Sequence, residues 1–129
     1  SYSFTKAANV AHYYAGVSFL NMGQYDQAIE QLKKFKTSDM VLAPLKLSLI
    51  GDAYMEKGDS EKGMSFYTKA ARKAEDEFTA PAVMMKAGMA AEHLGKPEEA
   101  RKFYQEIQQK YPDSKEGKEI KPHLTRVGA

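Results

Sequence analysis

The chain has 129 residues, of which 43% are hydrophobic and 28% charged, and its formal net charge is +2. These values are typical of a single soluble globular domain and exclude a disordered chain. The balanced charge excludes a nucleic-acid-binding surface, which needs clustered Lys and Arg, and the absence of cysteine excludes disulfides and thiolate ligands.

The apolar runs and the first residue bear on the relation of the chain to a membrane. No apolar run approaches the roughly 18 residues of a membrane-spanning helix. The chain opens with Ser1 rather than Met, so we expect a fragment that lacks upstream residues. Any membrane contact is therefore expected to run through an anchor outside this chain.

An internal repeat organises the sequence. Segments 16–28, 51–63 and 88–100 align without gaps; each opens with Gly, has a second Gly seven positions later and a small residue five positions after that. The opening glycines lie 35 and 37 residues apart, within the range of two-helix solenoid repeats. We therefore predict a single domain of three helical hairpins. The hairpins cover about residues 9–42, 44–77 and 81–112.

In the first hairpin, Gly23 is predicted to end the first helix, because Gly accepts the left-handed conformation of a helix C-terminus. Asp26 is the candidate N-cap of the second helix. Apolar residues then recur at helical spacing. These are Ala28, Ile29, Leu32 and Phe35.

The second and third hairpins repeat this plan. Pro44 and Pro81 are predicted to precede their first helices, at helix-opening positions, and Gly58 and Gly95 to end them. Asp59 or Ser60 is the candidate N-cap of the second helix in the second hairpin, and Pro97 lies near the first helical position in the third. Their apolar residues are Met64, Phe66, Tyr67 and Ala70, and Ala100, Phe103, Tyr104 and Ile107. A last helix at about 114–127 is expected to be kinked or to start late, because Pro122 lies inside it.

Small residues are predicted where paired helices come closest, because a larger side chain there would overpack the contact. They are Gly16, Ala28, Gly51, Gly63, Gly88 and Ala100.

The repeat resembles the tetratricopeptide repeat, whose signature is a small residue, an aromatic, Gly, Tyr, Ala, an aromatic or Leu, Ala and Pro. The matching residues are Gly16, Phe19, Gly23, Tyr25, Ala28, Leu32 and Phe35; Gly51, Tyr54, Gly58, Gly63, Tyr67 and Ala70; and Gly88, Ala91, Gly95, Ala100, Tyr104, Ile107 and Pro112. Gly63 and Ala91 depart from the pattern. The resemblance implies an all-α solenoid of three hairpins and a C-terminal capping helix.

A finer resemblance concerns location. The stretches 11–16, 49–54 and 110–114 are similar to envelope proteins of Gram-negative bacteria. Such relatives have an N-terminal membrane anchor and a periplasmic repeat domain, and some accompany protein export. This implies a periplasmic or membrane-anchored protein that faces the periplasm; a cytoplasmic location is the alternative.

In the family, the first helix of each hairpin lines a concave groove that holds a peptide. The corresponding residues here are Tyr13, Val17, Leu20, Asn21, Leu45, Ser48, Asp52, Met55, Glu56, Met85, Lys86, Met89 and Glu92. The set is largely apolar with acids at its edge, and Met side chains recur on surfaces that accept varied sequences. We expect Met55, Met85 and Met89 to be exposed, although a helical Met stripe is also typical of a core.

The family's two-carboxylate clamp uses Lys, Asn and Arg in this groove. The corresponding positions here are Tyr13, Val17, Leu49, Ala82 and Lys86. Only one of the five is basic, which disfavours recognition of a charged C-terminal tail by such a clamp.

Nothing in the sequence predicts catalysis, a cofactor or a metal site. His12, His93 and His123 lie on separate elements and have no ligand-spaced partner. Asp52 and Glu56 share a helix face at i, i+4, a pattern that here favours a groove lining over acid–base chemistry.

We therefore predict a non-enzymatic module that binds an apolar or amphipathic polypeptide segment, as an envelope scaffold or export-associated helper. The alternative is a homodimerisation module that uses the same surface or the N-terminal end.

Overall fold

The computed structural model describes residues 2–128, with side chains from residue 5 onward. This part of the chain contains eight helices and no strand. The helices are α1 (Tyr2–Asn21), α2 (Tyr25–Lys34), α3 (Leu42–Lys57), α4 (Ser60–Lys73), α5 (Thr79–His93), α6 (Pro97–Lys110), α7 (Lys115–Lys118) and α8 (Ile120–Arg126). None of the described helices is both long and apolar enough to cross a membrane.

Consecutive helices pack against one another, and the first helices α1, α3 and α5 also touch in succession. Helices α1–α6 thus form three stacked hairpins, with α7 and α8 against the last of them. This confirms the predicted all-α solenoid. One apolar cluster centres on the first two hairpins, and a larger one joins the second and third hairpins to α8.

The turn within each hairpin depends on a glycine. Gly23, Gly58 and Gly95 have φ angles of +76°, +91° and +71°, a left-handed conformation that other residues adopt only at a cost. The predicted helix ends at these residues are confirmed.

The helix starts differ from the prediction in two hairpins. Asp39 accepts hydrogen bonds from two N–H groups at the start of α3, at 3.0 and 2.9 Å, and Asp76 does the same at α5, at 3.0 and 2.6 Å. These capped starts place Pro44 and Pro81 at the third helical position rather than ahead of the helix. Proline is tolerated there because first-turn N–H groups have no partner within the helix.

The second helices follow the expected signals in part. Asp59 caps α4 by accepting from the N–H of Lys62, and Pro97 is the first residue of α6. Asp26 is not the cap of α2, because α2 begins one residue earlier; its carboxylate pairs with Lys57 instead.

The predicted capping helix is interrupted at Glu119, between α7 and α8. Pro122 is the third residue of α8, so the later start anticipated from this proline is observed. Ile120 and Leu124 of α8 are buried against α6 and the larger core.

Candidate peptide-binding groove

Glycines bring the two helices of each hairpin close together. A methyl group on Gly51 would lie 2.7 Å from two ring carbons of Tyr67, and one on Gly16 would lie 2.6 Å from Leu32 Cγ. Gly88 has the same relation to Tyr104. The register of each hairpin is therefore fixed by one Gly facing one large side chain sixteen residues later, and this register sets which residues face the groove.

A cavity of about 400 Å³ opens on the first helices of the first two hairpins. Its lining includes five residues predicted for the groove, together with Tyr25 and Tyr67. The five are Leu20, Asn21, Asp52, Met55 and Glu56. Both tyrosines belong to the repeat pattern, but that they would also line this cavity was not predicted.

An ion pair continues the site towards the third hairpin. Lys86 Nζ lies 3.1 Å from both carboxylate oxygens of Asp52 and donates to Ser48 Oγ at 3.5 Å. Tyr67 donates its phenol to the same carboxylate at 2.5 Å. Burial, and then this hydrogen bond, raise the pKa of Tyr67 far above its ordinary value, so the phenol stays a donor. Asp52 is therefore engaged in structural contacts, which argues against proton transfer by Asp52 and Glu56.

The third hairpin repeats this arrangement with other residues. Tyr104 donates to Glu92 at 2.5 Å, and Arg126 of α8 donates to both oxygens of Glu92 at 2.8 and 3.0 Å. The Arg126 guanidinium holds the pKa of Glu92 below its usual range. Burial, followed by the hydrogen bond to Glu92, raises the pKa of Tyr104. In both hairpins a tyrosine of the second helix thus orients an acid of the first helix towards a cation of the next element.

The predicted groove residues differ in how far they reach solvent. Asn21, Glu56, Lys86 and Met89 are exposed. Tyr13, Val17, Leu20, Leu45, Asp52, Met55, Met85 and Glu92 are partly buried. Ser48 is buried, and its hydroxyl meets Lys86 rather than open solvent.

The three groove methionines do not behave alike. Met89 is 51% exposed, as expected. Met55 and Met85 pack on the larger core instead. Gly63 leaves a hollow that the Met55 side chain fills. Met84, one position away in sequence, is buried. The open apolar part of the groove is therefore smaller than the sequence indicated.

The histidines serve different contacts. His12 Nδ1 lies 2.8 Å from Gln31 Oε1, and His123 Nδ1 lies 2.6 Å from an Arg126 nitrogen. His93 is exposed. Within residues 2–128, no three His, Cys, Asp or Glu side chains come together as metal ligands would.

A second cleft, of about 500 Å³, lies outside the groove at the hairpin ends. It is lined by the loops before α5 and α7, including Tyr111 and Pro112. Phe78 at its edge is 87% exposed. No pattern in the sequence indicates this cleft, because its residues come from two loops that only the stacking of hairpins brings together.

Comparisons with known proteins agree with this architecture. Two family models described as tetratricopeptide repeat match the chain, one at residues 10–39 and 82–114 and the other at residues 47–75. The chain belongs to the tetratricopeptide repeat family. As a tetratricopeptide repeat (TPR) protein it is a protein–protein interaction module, and the predicted family is confirmed.

A solved structure shows the same fold. It is described as the first TPR of Spaghetti (RPAP3) bound to the HSP90 peptide SRMEEVD. The match has a TM-score of 0.69 and 20% sequence identity, and covers 94% of this TPR chain and 93% of that chain. A search of curated proteins found no match.

Proposed function

We propose that this TPR module is non-enzymatic and holds an apolar or amphipathic polypeptide segment in its groove. The observation that carries the proposal is the exposed apolar surface of Met89 on α5, together with the partly exposed Val17 and Leu20 on α1. Burying such surface is favourable at about 25 cal/mol per Å². A helical segment with anchors at i, i+3, i+4 and i+7 matches a groove of this kind.

The charges near the cavity indicate which net charge a bound segment should carry. Lys86 is engaged by Asp52, whereas Glu56 is exposed and has no ion-pair partner among the described residues. An acidic tail, such as the peptide in the RPAP3 structure, would meet this carboxylate, and like charges brought together are unfavourable. We therefore propose a neutral or basic amphipathic segment.

A direct binding measurement tests the proposal. Helical peptides selected by display on the wild-type module would be titrated into wild type and into Met89→Lys. Met40→Lys is the matched control, because Met40 is similarly exposed but lies in the loop before α3. We expect Met89→Lys to weaken binding about tenfold or more, while the control binds like wild type. Equal binding by both variants would refute the groove as the site.

The charge is tested separately. Glu56→Lys should weaken the binding of a selected basic peptide and leave the binding of a neutral analogue unchanged, because only the basic peptide is attracted by the carboxylate. Loss of both peptides would mean that the substitution damages the groove, and no change in either would refute the proposed preference for basic segments.

Location and self-assembly stay predictions. We propose a periplasmic location from the sequence resemblance alone; fractionation of the native cells with the full-length protein tests it, and recovery in the cytoplasm would refute it. The alternative function, homodimerisation through the groove, predicts that selected peptides compete with dimer formation. A dimer that binds peptide without dissociating would exclude that alternative.

A further inference from the structure

The second cleft, at the hairpin ends, has the size of a ligand site. Its volume of about 500 Å³ falls within the range of about 300–1,000 Å³ that is common for such sites. One wall is the loop before α5, which supplies Glu77 and Phe78. The other wall is residues 110–116, which run from the end of α6 into α7. The cleft is therefore separate from the groove and large enough for a short piece of a partner.

Both walls of the cleft are turns that hydrogen bonds hold in place. In the first wall, Asp76 accepts from the backbone N–H of Phe78 and of the next residue, at 3.0 and 2.6 Å. In the second, the hydroxyl of Ser114 donates to the carbonyl oxygen of Tyr111 at 2.7 Å and accepts from the N–H of Gly117 at 2.9 Å. A site whose walls are already ordered loses less conformational entropy on binding, so this cleft is preorganised.

The cleft also presents aromatic surface. Phe78 is 87% exposed, so almost its whole ring is in contact with water. Tyr111, in the other wall, is partly buried and packs against the larger core, which fixes its position. A large apolar side chain left in water beside a cleft commonly marks a contact surface. The face of an aromatic ring attracts cations in particular.

The charges of the cleft also favour a cation. Three acids of the lining have no ion-pair partner in the part of the chain that the structure describes. They are Glu77, Asp113 and Glu116. Of the two lysines in the lining, Lys110 pairs with Glu106 at 2.9 Å, and Lys115 has no such pair within residues 2–128. Three carboxylates thus accompany one ammonium group that is not paired, so a positive charge is attracted to the cleft.

We propose that this cleft binds an arginine side chain on a short segment of a partner polypeptide. A planar guanidinium can stack on the ring of Phe78 and donate two parallel hydrogen bonds to one carboxylate. It is also more weakly hydrated than the ammonium group of lysine, so it leaves water at a lower cost. The site goes beyond the peptide-binding groove and does not depend on what the groove holds.

An NMR titration of the isotopically labelled chain tests the proposal. The probe is a pentapeptide, blocked at both ends, with one central arginine among serine and alanine. Its controls replace the arginine by citrulline, which has nearly the same shape without the charge, or by glutamate. We expect the arginine peptide to shift the amide signals of Phe78, Asp113 and Glu116 saturably at millimolar concentration, and the two controls to leave them unchanged.

Two variants separate the aromatic contribution from the charge. Phe78→Ala and the double variant Glu77→Gln/Asp113→Asn should each weaken binding of the arginine peptide about three- to fivefold or more. Tyr14→Ala is the matched control for the ring, because Tyr14 is 65% exposed on α1. Glu98→Gln, at an exposed position of α6, is the control for the charge. All the replaced side chains are exposed, so each variant should fold, which circular dichroism checks.

Four results would overturn the proposal. They are the absence of saturable shifts at the cleft amides, equal binding of the citrulline peptide, unchanged binding by either cleft variant, and shifts confined to the groove amides of Glu56 and Met89. The last result would leave the proposed function of the groove intact. Conversely, Met89→Lys should bind the arginine peptide at the cleft as wild type does, even where it no longer binds peptides in the groove.

Discussion

Substitution of Gly51 by Ala tests the packing that fixes the groove. The added methyl group would lie 2.7 Å from two ring carbons of Tyr67 and 3.2 Å from the carbonyl oxygen of Gly63. The ring has little room to move, because it is buried and its phenol is bound to Asp52. The backbone of Gly63 has even less room to move. Helices α3 and α4 must therefore separate.

Two opposing effects set the size of the change. Replacing Gly by Ala within a helix is favourable by about 1 kcal/mol, whereas overpacking a tight contact costs about 1–3 kcal/mol. Because one neighbour is backbone and the other is an anchored ring, we take the cost as about 3 kcal/mol. The net loss of stability is then about 2 kcal/mol, which for a domain of this size lowers the Tm by about 8 °C.

Urea and thermal unfolding, followed by circular dichroism, measure this loss. Ser65→Ala, at an exposed site on α4, is the control for helix propensity and should be as stable as wild type or slightly more so. A Gly51→Ala variant as stable as wild type would refute the tight contact, because helix propensity would then outweigh it.

Three further predictions concern the ends of the hairpins and the last helix. Tyr104→Phe should lower the free energy of unfolding in urea by about 1–2 kcal/mol, because the hydrogen bond to the ion-paired Glu92 is removed. An unchanged free energy of unfolding would mean that solvent replaces the phenol. Since Arg126 lowers the pKa of Glu92 below its ordinary 4.5, the stability from this pair is complete above that value and is lost as the pH falls through the lower folded value. Thermal unfolding between pH 6 and pH 2 should show this loss, and Glu92→Gln should reduce it; an unchanged pH dependence in that variant would contradict the assignment. Gly58→Ala should lower the free energy of unfolding by about 1–2 kcal/mol. The cause is the left-handed φ of +91° alone, since no atom lies within 4 Å of the new methyl group. Unchanged stability would show that the turn relaxes.

The features that the sequence predicted well depend on local constraints. A left-handed turn needs Gly, so Gly23, Gly58 and Gly95 indicated where each first helix ends. The small residues of the repeat, such as Gly51 and Gly88, indicated where the paired helices come closest. Both signals are contained within one hairpin.

The features that were missed depend on contacts between distant residues. Met55 is partly buried because Gly63, on the facing helix, leaves space for it. Asp39 and Asp76 cap helices from the loops, which moved both helix starts ahead of the prolines. The pairing of Glu92 with Arg126 joins residues 34 positions apart, so spacing along one helix gives no indication of it.

The two tyrosine–acid–cation contacts also bear on how the solenoid opens. Each joins both helices of a hairpin to the next element, so the second hairpin is tied to the third and the third to α8. The first hairpin has Leu32 where the others have tyrosine. Its ionic link to α3 is instead the pair of Lys57 with the exposed Asp26, and exposed pairs contribute little. The amides of α1 and α2 should therefore exchange with solvent before those of α3–α6, as a separate unit of local unfolding at the α1 end of the solenoid.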